Sequence, residues 1–134
     1  MKFLLDTHIL LWYFDEDEKL SSKVCDIIND NHNEIYFSSL SIFEIDLKHS
    51  NQPEQMPYSG EEIFDCCLQA GFKSLLLDVK HTLKVKTLTR KENTPPHRDP
   101  FDRLMICQAI VEDMLFITHD ERIAEYVSPM IYKI

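Results

Sequence analysis

Five short apolar runs recur along the chain, and within each run the apolar residues follow one another instead of alternating with polar ones. The runs are KFLL (2–5), IYFS (35–38), LLLDV (75–79), LFIT (115–118) and MIYKI (130–134). Continuous runs of this length are typical of strands in a parallel sheet that is covered on both faces. The pattern therefore predicts a mainly parallel sheet of about five strands.

Segments with helical character separate the apolar runs, and serines that can cap a helix precede three of them. The candidate caps are Ser21 or Ser22, Ser38 or Ser39, and Ser59. The helical segments span residues 7–14, 21–31, 39–49, 60–71, 80–89, 100–113 and 120–127. Strands that alternate with helices predict an α/β fold, here a three-layer α/β/α sandwich with right-handed connections. With 134 residues and no linker, we expect a single domain over residues 1–134.

The composition agrees with a folded protein of the cell interior. Hydrophobic residues make up 44% of the chain, which excludes a disordered segment of this length. The apolar N-terminus is interrupted by Asp6 and His8 and is followed by acids, so it does not match a signal peptide. The four cysteines form no CxxC motif, and we expect free thiols. We therefore expect a cytoplasmic protein.

The net charge of −9 argues against a nucleic-acid partner, but the charges are unevenly distributed. Residues 80–103 hold seven of the 14 basic side chains and only three acids, so this strip carries +4 and the rest of the chain −13. The strip is either an ordinary solvated surface or a local binding site for phosphates. Both interpretations stay open at this point.

Acidic side chains follow two predicted strands, where ligands bind in open parallel sheets. Asp6 directly follows the first strand, and Asp120 comes two residues after LFIT. Glu44 shares a helical stripe with Leu40 and Leu47, although an ion pair with Lys48 would also explain it. The three acids are expected at the same edge of the sheet.

The stretch HRDPFDRLM (97–105) brings two further acids to the start of a helix. Asp99 as N-cap, Pro100 as the first helical residue and Asp102 in the first turn make a good helix start. Taken alone, the stretch is explained by capping. Together with Asp6, Glu44 and Asp120 it predicts a carboxylate cluster, and such a cluster requires cations.

Oxygen ligands without a cysteine or histidine pair favour Mg²⁺ or Mn²⁺ over Zn²⁺. His97 and His119 flank the acids, and we expect each to be a surface residue or to orient a ligand rather than to bind the ion. The chain has neither a glycine-rich phosphate loop nor a GxSxG motif. A carboxylate-held ion at the edge of a parallel sheet is suited to phosphodiester hydrolysis, so a nuclease is the natural interpretation.

The chain resembles the PIN-domain ribonucleases, and among them the VapC-like toxins of bacterial toxin–antitoxin pairs. The resemblance rests on LLDTHILLWY (4–13), SSLSIFEIDLKHS (38–50), PPHRDPFDRLMICQAIVE (95–112) and LFITHDERIAEY (115–126). It departs from the family after residue 48, where HSNQPEQM (49–56) lacks a glycine and a basic residue that relatives commonly carry. That departure affects the loop after residue 50 and leaves the acids in place.

The resemblance implies a catalytic quartet that also binds Mg²⁺ or Mn²⁺, with Asp99 as an additional metal ligand or only a helix cap. The quartet is Asp6, Glu44, Asp102 and Asp120. It implies that Thr7, Ser39 and Thr118 orient the acids or bound water. The candidate RNA contacts on the basic strip are Lys84, Lys86, Arg98 and Arg103.

For the activity, the resemblance implies a metal-dependent endoribonuclease that acts on RNA, usually as a homodimer, and is neutralised by an antitoxin protein. A PIN-like domain that binds a protein or RNA without cleaving it is the main alternative. A phosphoacceptor domain is a weaker one, because the dehalogenase type needs an acid where His8 stands. Trp12, Tyr13 and Phe14 are expected in the core rather than on a partner surface.

Overall fold

The computed structural model describes residues 1–134, and its strands form one fully parallel sheet in the order β3-β2-β1-β4-β5. The strands are β1 (Lys2–Leu5), β2 (Glu34–Ser38), β3 (Lys73–Leu75), β4 (Leu115–Thr118) and β5 (Ile131–Lys133). Since β1 lies in the middle, the first residue after it is placed at the centre of one sheet edge. The predicted five-stranded parallel sheet is confirmed.

Seven α-helices connect and cover the strands. They are α1 (Thr7–Phe14), α2 (Ser22–Asn29), α3 (Ser39–Asn51), α4 (Gly60–Gln69), α5 (Val79–Lys84), α6 (Pro100–Glu112) and α7 (Glu121–Ala124), and a 3-10 turn, Val85–Thr87, follows α5. Ser21, Ser38 and Ser59 accept hydrogen bonds from the first turns of α2, α3 and α4. Ser59 forms a reciprocal capping box with Glu62.

The central strand β1 supplies apolar side chains to both faces of the sheet. Phe3 and Leu5 pack into one hydrophobic cluster, whereas Leu4 between them packs into a second cluster. Successive side chains of a strand point to opposite faces, so helices must cover both sides. The three-layer α/β/α sandwich expected from the continuous apolar runs is confirmed.

The third strand and its surroundings differ from the expectation. The run 75–79 predicted a strand there, but β3 spans Lys73–Leu75 and pairs only with β2 at the edge of the sheet. Leu76 and Leu77 instead lie exposed in the connection to α5. Short edge strands limit unwanted pairing between chains, and an apolar run does not reveal which of its residues pair.

Two predicted helices are shorter than expected. Residues 80–89 contain only α5 and the 3-10 turn, and residues 120–127 contain only the four residues of α7. All four cysteines are free, as expected. No helix is long and apolar enough to cross a membrane.

Candidate active site

Asp6 lies at the centre of the site because it directly follows the middle strand of the sheet. Its side chain is buried, and both of its carboxylate oxygens accept hydrogen bonds. The Thr7 N–H donates to Oδ1 at 2.8 Å, and the Thr118 hydroxyl donates to Oδ2 at 2.7 Å. Burial raises the pKa of Asp6, and these two hydrogen bonds offset part of the effect.

Thr118 joins the two acids that follow β1 and β4. While its hydroxyl donates to Asp6, it accepts a hydrogen bond from the Asp120 N–H at 3.1 Å. One hydroxyl at the end of β4 therefore fixes the positions of both acids. This contact agrees with the supporting role that the family resemblance implies for Thr118.

Asp120 caps α7 and is held by Arg122. The Arg122 N–H donates to Oδ1 at 2.8 Å, and its guanidinium reaches Oδ1 at 3.2 Å and Oδ2 at 2.9 Å. Partial burial acts to raise the pKa of Asp120, but the hydrogen bonds and the charge of Arg122 outweigh it and lower the pKa. In this arrangement the positive charge of Arg122 neutralises the carboxylate of Asp120.

Asp99 and Asp102 face the same edge from the start of α6. Asp99 caps the helix through the N–H groups of Phe101 and Asp102, at 2.9 and 3.2 Å, with Pro100 as the first helical residue. Asp102 is buried, and its side chain does not take part in the cap. The capping interpretation of the stretch is therefore correct for Asp99, whereas Asp102 has no such structural duty.

His97 packs beside Asp102, and Tyr126 contacts the other nitrogen of its ring. Its Nδ1 lies 2.9 Å from the Tyr126 hydroxyl, and its Nε2 lies 3.2 Å from Asp102 Oδ2. The Nε2 atom is buried and makes no hydrogen bond despite its short approach to Asp102. Burial and the positive charges of Arg122 and Arg90 lower the pKa of His97. A neutral imidazole therefore forms one wall of the Asp102 environment.

Glu44 reaches the site from α3 and is half-buried. Burial raises the pKa of Glu44, while the nearby Thr7 side chain lowers it and the charges of Asp99 and Asp6 raise it. The alternative explanation, an ion pair with Lys48, does not apply, because the lysines that form salt bridges are Lys73, Lys80 and Lys133. Glu44 therefore faces the other acids.

Ser41, rather than Ser39, provides the serine contact at this edge. The hydroxyls of Thr7 and Ser41 lie 2.9 Å apart in the interior. Ser39, expected as a supporting residue, accepts a hydrogen bond from the Leu77 N–H at 3.2 Å. Ser41 lies two residues further along α3, and the helical spacing from Glu44 was the signal that could have identified it.

The five acids influence one another most strongly at Asp102. Burial raises the pKa of Asp102 to about 8, with further contributions from four acids. These are, in decreasing order, Asp6, Asp99, Glu44 and Asp120. These acids, which follow β1 and β4 or lie on or beside α3 and α6, are therefore close enough at one edge of the sheet to act on Asp102.

The donor set fits a hard divalent cation, although the acids do not form a finished coordination shell. The acids raise the pKa of Asp102 because too little positive charge lies near them, and a bound cation would supply it. Oxygen ligands suit Mg²⁺ or Mn²⁺. As they stand, no three acidic, histidine or cysteine side chains are arranged closely enough to hold an ion. Hydrogen bonds to Thr7 and Thr118 hold Asp6, and Arg122 occupies Asp120.

The basic strip is divided between structural and free side chains. Lys80 pairs with Glu112, and Arg90 stacks on Tyr126 and donates to backbone carbonyls. Lys84, Lys86, Arg98 and Arg103 form no ion pair within the chain. The Arg103 Nε atom is nevertheless buried without a hydrogen-bond partner. The remaining three candidate RNA contacts are free to meet a ligand.

Three features of the site had no clear signal in the sequence. One is the contact of Arg122 with Asp120, in which a side chain folds back onto its own helix start. The others are the His97–Tyr126 contact and the cavity that Trp12 shares with Asp6 and Asp120, both of which join residues distant in the chain. Trp12, Tyr13 and Phe14 are half-buried rather than core residues, although all three pack against the core.

Together the fold and the site define a class, that of parallel α/β/α domains with an acidic centre at the carboxyl edge of the sheet. The family model of the PIN domain matches residues 3–128. The chain therefore belongs to the PIN-domain family, whose members are generally nucleases. A search of the curated proteins gives no significant match.

Two solved structures are similar in fold. VapBC2 from Rickettsia felis, bound to a DNA fragment from its promoter, has a TM-score of 0.72 at 19% identity, covering 99% of this chain and 98% of that chain. DNA-bound VapBC from Salmonella typhimurium has a TM-score of 0.65 at 16% identity, with 100% and 97% covered. At these identities the likeness concerns the fold.

Proposed function

We propose that this chain is a Mg²⁺- or Mn²⁺-dependent endoribonuclease that hydrolyses RNA phosphodiester bonds. The observation that carries the proposal is the group of five acids at one edge of the sheet, where burial and the charges of the other four acids raise the pKa of Asp102 to about 8. Membership of the PIN-domain family supports the nuclease class. The RNA substrate and the metal are our inference from the acids and from the family resemblance.

The quartet Asp6, Glu44, Asp102 and Asp120 would hold the ion, with Asp99 as a further ligand or only as the helix cap. A divalent cation bound there would lower the pKa of a water molecule and neutralise charge on the phosphate. Thr118 fixes the positions of Asp6 and Asp120 relative to each other, and Thr7 holds Asp6 through its N–H. Ordered carboxylates of this kind reduce the reorganisation required when substrate binds.

We further propose that the protein is a single nuclease domain and the toxin of a toxin–antitoxin pair, acting as a homodimer. The fold likeness to two VapBC complexes supports an antitoxin protein as partner. Four exposed apolar side chains lie between the end of β3 and the last turn of α5, and a protein partner would cover them. They are Leu76, Leu77, Val79 and Leu83.

The test is cleavage of a labelled pool of single-stranded RNA by purified protein without antitoxin. Mg²⁺ and Mn²⁺ should each be compared with EDTA, for the wild type and for Asp102→Asn. We expect cutting that requires metal and falls at least about a hundredfold in the variant, because a ligand and its charge are lost. Asp65→Asn, an exposed acid on α4, is the matched control and should cut normally.

A binding domain without turnover is the second candidate, and the Arg122 clamp on Asp120 favours it. In this arrangement the guanidinium takes the place that a cation would fill. Folded protein that cuts no RNA with either ion, yet binds RNA or an antitoxin, would contradict the nuclease and support this candidate.

A further inference from the structure

We propose that the cavity beside Asp6 and Asp120 binds one nucleobase of single-stranded RNA, stacked against Trp12. The inference deepens the proposed ribonuclease function and rests on it. It assigns a substrate contact to Trp12, His8 and His119, which are not among the proposed metal ligands.

The cavity lies directly against two of the acids. It has a volume of about 220 Å³ and is lined by Asp6, His8, Trp12, His119 and Asp120. Trp12 is its only hydrophobic residue and is half-buried, so part of the indole is open to a ligand. Since Asp6 and Asp120 belong to the proposed ion site, a ligand in the cavity would adjoin the phosphate bound there.

Three aromatic rings line the cavity together with the two acids. The ring centroids of Trp12 and His119 are 5.1 Å apart at 72°, and those of Trp12 and His8 are 6.2 Å apart at 38°. His8 and Trp12 lie on α1, whereas His119 lies between β4 and α7. Two segments distant in sequence thus present three rings to one small space.

The chemistry of the lining favours an uncharged planar ring. No lysine or arginine lines the cavity, and its two carboxylates would repel a second phosphate. An aliphatic side chain would meet four polar residues and one indole. A nucleobase has a flat face for stacking and polar edges for histidine and carboxylate groups, so it satisfies both parts of the lining.

The surroundings of the cavity also suit a nucleotide. The Lys19 ammonium lies 5.6 Å from the centroid of the Trp12 ring and brings positive charge beside an otherwise acidic region. A phosphate joined to the stacked base can approach this lysine. Two acids and one cation therefore lie near the same indole ring.

Trp12 is the only tryptophan of the chain, so its fluorescence reports on the surroundings of this one indole, which lines the cavity. Intrinsic emission should be followed while a short single-stranded RNA is added in EDTA at low ionic strength, where no cleavage occurs. An abasic ribose-phosphate chain of the same length provides the comparison. We expect quenching by the RNA and little or none by the abasic chain.

Two variants and a control complete the test. Trp12→Leu should weaken binding of labelled RNA at least about fivefold, whereas Trp12→Phe, which keeps a ring, should retain most of the affinity. Phe14→Leu changes an aromatic residue of the same helix that lies outside the cavity, against Tyr13 and Phe72, and should bind RNA normally. Thermal unfolding should be measured for each variant, and a Trp12→Leu protein that fails to fold leaves the emission experiment decisive.

RNA that binds without changing the indole emission, or an abasic chain that quenches equally, would overturn the inference and leave the cavity to a protein partner. The outcome is separable from the nuclease proposal. Cleavage that is normal in Trp12→Leu would refute the base site alone. Absence of metal-dependent cleavage, with base-specific quenching intact, would refute the nuclease alone.

Discussion

Among single residues, Asp102 has a strongly raised pKa, which links proton binding to metal binding. A carboxyl ordinarily has a pKa near 3.8, but burial and the four neighbouring acids raise that of Asp102 to about 8. In the metal-free protein the fold therefore favours the protonated form. The stability that this preference contributes is complete below about pH 3.8 and is lost as the pH rises to about 8.

Metal binding should show the opposite pH dependence, because the ion and the proton compete for Asp102. We expect the Mn²⁺ affinity to rise by up to about tenfold per pH unit between pH 6 and 8, and to level off above that. Calorimetric titrations at pH 6, 7, 8 and 9 measure it. Asp102→Asn should bind more weakly and with a flatter profile, while Asp65→Asn should follow the wild type. A flat wild-type profile would show that Asp102 is not a ligand.

Among the elements, α7 is the shortest helix and the one that controls an acid. Asp120 begins the helix, and Arg122 in its first turn folds back onto the same carboxylate. The helix start thus supplies both a candidate metal ligand and the cation that occupies it. An ion pair with so exposed an arginine is worth only about 0.2–1 kcal/mol, so an ion can displace it.

Arg122→Ala should therefore raise the Mn²⁺ affinity by about two- to fivefold, since Asp120 is released and a positive charge is removed. The same titration at one pH measures the change. Arg98→Ala, which removes an exposed arginine that makes no ion pair, is the matched control and should change the affinity less. Equal affinities for wild type and Arg122→Ala would mean that the clamp does not compete with the ion.

For the whole molecule, the charge distribution decides where RNA can approach. The strip of residues 80–103 carries +4, while the remainder carries −13. Within the strip, Lys80 and Arg90 serve the fold, whereas Lys84 and Lys86 lie at and just after the end of α5 and form no ion pair. RNA should therefore contact this side while the acidic remainder repels it.

Lys84→Ala combined with Lys86→Ala should reduce the salt dependence of RNA binding. Each phosphate contact on single-stranded RNA contributes about 0.7 to the slope of log affinity against log salt, so the slope should fall by about 1.4. Filter binding in EDTA over a range of salt concentrations measures it. Lys2→Ala with Lys23→Ala removes two exposed lysines outside the strip, and an equal effect in this control would contradict a local binding site.

The sequence by itself determined the sheet, its approximate helices and the acids that meet at its edge. Continuous apolar runs require cover on both faces, and residues that follow parallel strands share one edge. Asp6 and Asp120 could therefore be placed together from local patterns. Asp99 could be assigned as a cap because DPFD contains the whole signal within four residues.

Only the tertiary structure decided what surrounds those acids. Two contacts depend on the direction of a side chain: that of Arg122 with Asp120 and that of His97 with Asp102. The contact between Trp12 and His119 depends on the packing of two distant segments. The length of β3 was likewise set by its single neighbour at the sheet edge. Local patterns record which residues are apolar or charged, whereas pairing and burial depend on the packing of the whole chain.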